Sequence, residues 1–157
     1  LRPQKDLRLV PVLANVMAPP LPPARRFHEV GAILGKIIND YPEDIRVAVI
    51  CSGHMSTEVG GPREMHPDPE FDTWSMDLLG EGLYEEAMAG LTPERLWKAG
   101  NYTNGFLVFV MLMGLAQNAK ADVAELLDLK VCRLPFLRWD LYAREENAEK
   151  PMEADAQ

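Results

Sequence analysis

From Ser52 to Pro67 the chain reads SGHMSTEVGGPREMHP. Two of its three histidines, His54 and His66, fall in this stretch, with Ser56, Thr57, Glu58, Arg63 and Glu64 among them. A neutral imidazole can take or give a proton near pH 7. Gly53, Gly60 and Gly61 let a backbone pass close to a ligand. Two readings stand side by side: a catalytic or binding loop, and a polar surface loop with a hydrogen-bonded histidine. A metal centre needs more. His54 and His66 are twelve residues apart, and neither Glu58 nor Glu64 completes a two-His-one-carboxylate set at a recognisable spacing. Ser56 beside His54 lacks the G-x-S-x-G frame of a nucleophile elbow.

The elements around this loop follow from the hydrophobic pattern. Residues 7–16 (LRLVPVLANV) and Ile45–Cys51 (IRVAVIC) are Val-, Leu- and Ile-rich and predict buried strands, the first interrupted by Pro11. Between them, Met17–Pro23 holds four prolines in seven residues and cannot be regular structure. Residues 24–40 have helical spacing, with Phe27, Val30, Leu34, Ile37 and Ile38 on one face. The pattern predicts a strand–helix–strand unit whose two strands are parallel neighbours. The loop then lies beyond the carboxyl end of a strand, where ligands bind in such sheets. His28, next to Phe27, reads as a helix-flank group.

Residues 68–79 and 81–89 predict helices, with Phe71, Trp74, Leu78 and Leu79 inward. Thr92-Pro93-Glu94 is a helix start: a hydroxyl cap, proline at the first position and an acid in the first turn. Residues 100–105 break that helix. Phe106–Ala116 is apolar all round and long enough for a buried helix. No clear element emerges from 126–142.

Composition narrows the function classes. The chain has 157 residues and 47% hydrophobic content, enough for one ordinary domain with a core. A net charge of -8 argues against a nucleic-acid surface. The apolar run from Phe106 is about half the ~20 residues of a bilayer span, so no membrane partner is expected. Two cysteines, Cys51 and Cys132, are too few for a disulfide framework and read as reduced thiols. Together with a charged, signal-free start, they predict a cytoplasmic protein. The residues 143–157 carry two basic and five acidic groups and read as a solvated tail.

Three segments carry a resemblance. They are VPVLANVMAPPLPPARR (Val10–Arg26), YPEDIRVAVICSGHMSTEVGGPR (Tyr41–Arg63), and Glu70-Phe71-Asp72 with the helix after it and the apolar Phe106–Gly114 run. In order and spacing, across most of 7–116, they resemble the second half of class III extradiol ring-cleaving dioxygenases of the protocatechuate 4,5-dioxygenase β-subunit type. The resemblance implies an α/β fold: a three-layer domain with a central mostly parallel or mixed sheet flanked by helices. Only its C-terminal part would be present, over 1–142, followed by the tail. It also implies non-haem Fe(II) held by two His and one Glu, and addition of both atoms of O2 to a catechol-like or aminophenol ring.

At the chemical positions the chain departs from that family. The family's catalytic His follows a Gly-Gly-Met/Leu-Ser stretch. Here the stretch is Gly53-His54-Met55-Ser56, and Thr57 stands where the His would be. The family's iron-binding Glu lies nine residues before a glycine; counting back from Gly114 gives Gly105. A threonine cannot serve as the base for a catecholic hydroxyl. A facial triad without its carboxylate binds Fe(II) poorly. The resemblance therefore implies a non-catalytic subunit beside a homologous catalytic subunit, like the α chain of 2-aminophenol 1,6-dioxygenase, with no iron bound by this chain alone. A second reading is an active enzyme with iron-binding His in the first half, His54 as acid/base and Glu58 nearby. A third is a redox-inactive module holding a small aromatic or carboxylate ligand near Arg63. In each case the chain should pack against the family's first half or a partner subunit, with Met17–Pro23 and Phe106–Met113 as contact surfaces.

Overall fold

The computed structural model describes residues 8–129 and 131–141. The expected charged tail, 143–157, lies outside the described residues. Helix α1 spans Ala24–Asn39, α2 Pro69–Glu81, α3 Tyr84–Gly90 and α4 Pro93–Ala99. A 3-10 turn, Thr103–Phe106, leads into α5, Leu107–Leu115. The chain then forms an antiparallel hairpin, β1 (Val123–Asp128) with β2 (Arg133–Arg138), pairing Val123 with Arg138 and Asp128 with Arg133. The fold is mixed α/β.

Helix ends form where the residues dictate. Asp68 accepts from the Phe71 N–H at 3.0 Å, Pro69 follows, and Gly82 closes α2 in the left-handed region at φ 69°. Thr92 accepts from the Arg95 N–H at 3.2 Å and Pro93 begins α4. The α4 start matches the sequence expectation, and α2 begins one residue inside the expected 68–79.

The centre of the molecule is α5 laid against α1. Phe106, Val110 and Met113 are buried, and Phe106 meets Phe71 and Phe109 edge-on, each with ring centroids 5.8 Å apart. The expectation that Phe106–Met113 is a contact surface for another chain is therefore corrected: this chain buries the segment itself. The predicted face of α1 holds at Phe27, Val30, Leu34 and Ile38, which are buried or half-buried, and is corrected at Ile37, which is 58% exposed. Ala24, Gly31 and Gly35 complete the buried stripe; at Gly31 and Gly35 the backbones of α1 and α5 approach too closely for larger side chains. Trp74 is half-buried on α2, with the Arg95 guanidinium 3.5 Å from its ring centroid. His28 sits at a helix flank, as expected. Its Nε2 lies 2.7 Å from Asn118 Oδ1 and its ring packs on Tyr84.

The expected strand–helix–strand unit is not formed among the described residues. Neither 8–16 nor Ile45–Cys51 is a strand, and the one sheet described is the antiparallel hairpin rather than a central parallel sheet. The physical reason is that a strand exists through its ladder, and apolar composition supplies no neighbour. The consequence is exposure: Leu9, Val10 and Leu13 are 81–94% accessible and Ile50 is 84%. The Met17–Pro23 segment lies largely at the surface, with Met17 39% exposed.

Candidate functional site

The 52–67 loop is seated against the turn that precedes α5. Three glycines make the contact close. A Cβ on Gly53 would lie 2.6 Å from the Gly105 carbonyl oxygen and 3.0 Å from the Phe109 ring. One on Gly100, whose φ is 151°, would lie 2.2 Å from the Thr57 carbonyl oxygen. One on Gly105 would lie 2.6 Å from His54 Cδ2 and 3.2 Å from His54 Cβ. The two segments thus meet almost backbone to backbone.

Hydrogen bonds fix the loop from both sides. The Ser56 N–H donates to Asp72 Oδ1 at 2.7 Å, and the Asp68 N–H donates to Ser56 Oγ at 2.7 Å. The Thr57 N–H donates to Thr103 Oγ1 at 3.0 Å, and the Tyr102 N–H donates to the Thr57 carbonyl at 2.9 Å. Asn101 acts like a strand neighbour: its amide accepts from the Val59 N–H and donates to the Val59 carbonyl, both at 2.9 Å. Asp72 and Thr103 are fully buried. Burial raises the Asp72 carboxyl above its ordinary range, opposed by the hydrogen bonds from Ser56. Asp72 Oδ2 and Arg133 Nε are both buried without a hydrogen-bond partner.

The sequence candidates separate. Ser56 is buried, and its hydroxyl accepts from the Asp68 N–H at the start of α2. The Thr57 hydroxyl donates to the Met55 carbonyl at 3.0 Å. Glu58 accepts from the Arg63 N–H at 3.1 Å and forms an ion pair with the Arg63 guanidinium, which also donates to the Lys98 carbonyl. Arg63 is therefore already partnered within the chain. Ser56, Thr57, Glu58, Arg63, His66 and Cys132 line one cleft, of only about 40 Å³. Ligand pockets run to hundreds of Å³, so this cleft does not enclose an aromatic ring. His66 Nδ1 lies 2.8 Å from the Glu64 carbonyl. His54 does not line the cleft; it is exposed, covers Gly105 and meets the Tyr102 ring edge-on at 6.2 Å. Both cysteines are free and half-buried. Cys51 Sγ donates to the Val108 carbonyl at 3.3 Å, and burial pushes its thiol up to about 11.

The residues that hold the loop, Asp72, Thr103 and Asn101, were not among the candidates. Asp72 is within the Glu70-Phe71-Asp72 segment that carries the resemblance; Thr103 and Asn101 carry no local signal. The described residues bring together no donor set suited to iron. Gly105 brings no ligand atom, Thr57 brings a hydroxyl bound to its own loop, and no three His, Cys, Asp or Glu side chains converge among the described residues. No described helix is long and apolar enough to cross a membrane.

Over residues 3–131 the chain matches the family described as the catalytic LigB subunit of aromatic ring-opening dioxygenase. It is also similar to gallate dioxygenase of Pseudomonas putida, with 38% identity over 73 residues. That alignment covers 46% of this chain and 22% of that enzyme, so the chain spans well under two thirds of the relative's length. The glycine seam between the 52–67 loop and the start of α5 lies within the family match, and the chain belongs to the LigB family of aromatic ring-opening dioxygenases.

Proposed function

We propose that this chain is a subunit, or part of one, of an extradiol-type aromatic-ring-cleaving dioxygenase, and that it supports a catalytic paralogue without binding iron itself. The observation that carries this reading is the pair Thr57 and Gly105 at the two positions where the family's chemistry would require an imidazole and a carboxylate. In the complex, Fe(II) belongs to the catalytic partner, and the substrates are O2 and a catechol-like or aminophenol ring in the cytoplasm. The exposed Leu9, Val10, Leu13 and Ile50 support packing against the family's first half or a homologous subunit. There the 8–16 and Ile45–Cys51 segments gain strand neighbours and the three-layer domain is completed. The test is to purify the chain, add Fe(II), and measure iron content and oxygen uptake with catechols and aminophenols. Substoichiometric iron and no uptake are expected; stoichiometric iron with turnover overturns the proposal.

A second reading keeps His54 as an acid/base in an active enzyme. The observation favouring it is that His54 is exposed at the very position of Gly105. Glu58, the carboxylate that reading needs, is engaged by Arg63. Replacing His54 by Ala in the full-length protein decides the matter: an unchanged ring-cleavage rate removes His54 from the chemistry.

A further inference from the structure

We infer that His54 and Gly105 are a matched pair, in which the His54 imidazole occupies the space that any side chain at position 105 would need. The geometry carries this. An added Cβ at 105 meets three atoms of one residue: His54 Cδ2 at 2.6 Å and its Cβ and Cγ at 3.2 Å. The contact includes the root of the side chain as well as its tip, so rotating the ring away leaves the Cβ in place. The neighbouring backbone cannot retreat freely either, because Gly53 already rests on the Gly105 carbonyl and the Phe109 ring. Gly105 shows no positive φ that would require glycine for conformational reasons. Its smallness therefore answers to His54.

Functionally, His54 is the residue that closes position 105. A ligand or acid cannot be restored at 105 while His54 stands, so two of the three departures from the family pattern, those at 54 and 105, form one coupled change. That meaning rests on the proposed function, which places the family's carboxylate at 105. The steric coupling rests on distances alone, and its test uses no iron.

The test is a double-mutant cycle in thermal unfolding at one fixed concentration of the full chain: Gly105→Ala, His54→Gly, and both together. Gly105→Ala alone is expected to lower Tm by roughly 3–9 °C, the range that overpacking produces in a chain of this size. In the His54→Gly background the same change should lower Tm by far less, or raise it, because alanine is favoured over glycine in a helical turn. Failure of Gly105→Ala to fold, with folding restored by His54→Gly, also supports the pairing. Equal losses in both backgrounds, or a double variant that does not fold, overturn it. Iron binding by the wild-type chain would sink the proposed function while leaving this coupling intact.

Discussion

Gly31→Ala on α1 tests the packing of α1 against the middle and end of α5, the helix that the Thr103–Phe106 turn leads into. The added Cβ would lie 1.8 Å from the Met111 carbonyl oxygen, 2.7 Å from the Met111 carbonyl carbon and 3.0 Å from the Leu115 nitrogen. All three are backbone atoms of α5, so no side chain can turn aside. An ordinary carbon-to-oxygen contact is about 3.3 Å, so the helices must part locally by about 1.5 Å. Alanine returns about 1 kcal/mol of helix propensity. Overpacking costs about 1–3 kcal/mol, and a rigid backbone neighbour places this case at the upper end. The net loss is about 2 kcal/mol, or about 4–8 °C in Tm for a chain of this size. The assay is thermal and urea unfolding beside Lys36→Ala, which alters an exposed ion pair on the same helix and should stay within about 0.5 kcal/mol. A Gly31→Ala protein as stable as wild type would refute the close approach of α1 and α5.

Replacing Asp72 by Ala leaves the Ser56 N–H buried without its acceptor and should cost about 1–3 kcal/mol in urea unfolding. Because burial holds the folded Asp72 carboxyl above its unfolded range, its contribution is full below the unfolded value and is lost as pH rises through the folded one. Asp72→Asn, which keeps an acceptor but cannot ionise, should therefore gain on wild type between acid and neutral pH; a constant difference counts against the buried carboxylate. Cys51, with its thiol pushed up to about 11, should be about one part in a thousand thiolate at pH 8. It should alkylate far more slowly in the native chain than in urea, as mass mapping would show. Light scattering of the 157-residue chain at several concentrations should reveal association through the exposed Leu9–Leu13 and Ile50 surface. A monodisperse monomer with cooperative unfolding would show an autonomous domain.

The legible parts of the sequence were those whose causes are local. The α4 start is written in Thr92-Pro93-Glu94, and the Asp68-Pro69 start of α2 works by the same chemistry. The Phe106–Ala116 run had the composition and length of a buried helix, and α5 is one. The hairpin was illegible because its residue types do not alternate: β1 reads VAELLD, and β2 reads RLPFLR with Pro135 inside it, although β2 does alternate in burial once folded. On α1 the apolar pattern pointed to Ile37, while the close contact is made at Gly31 and Gly35, which hydrophobic periodicity does not register.

The site divides along the same line. Residue types located the loop and marked His54, Thr57 and Gly105 as departures, because each is a change of chemistry readable one position at a time. What types cannot express is adjacency. Positions 54 and 105 are separated by α2, α3 and α4, yet the structure sets one residue's ring against the other's backbone. Thr103 and Asp72 are likewise ordinary in sequence and become the anchors of residues 56 and 57 only when the start of α5 and the start of α2 close on the loop from two sides. Two positions with no local link in the sequence, 54 and 105, are thus in contact. On the proposed reading, in which position 105 is where the family's carboxylate would stand, His54 covers the glycine found there.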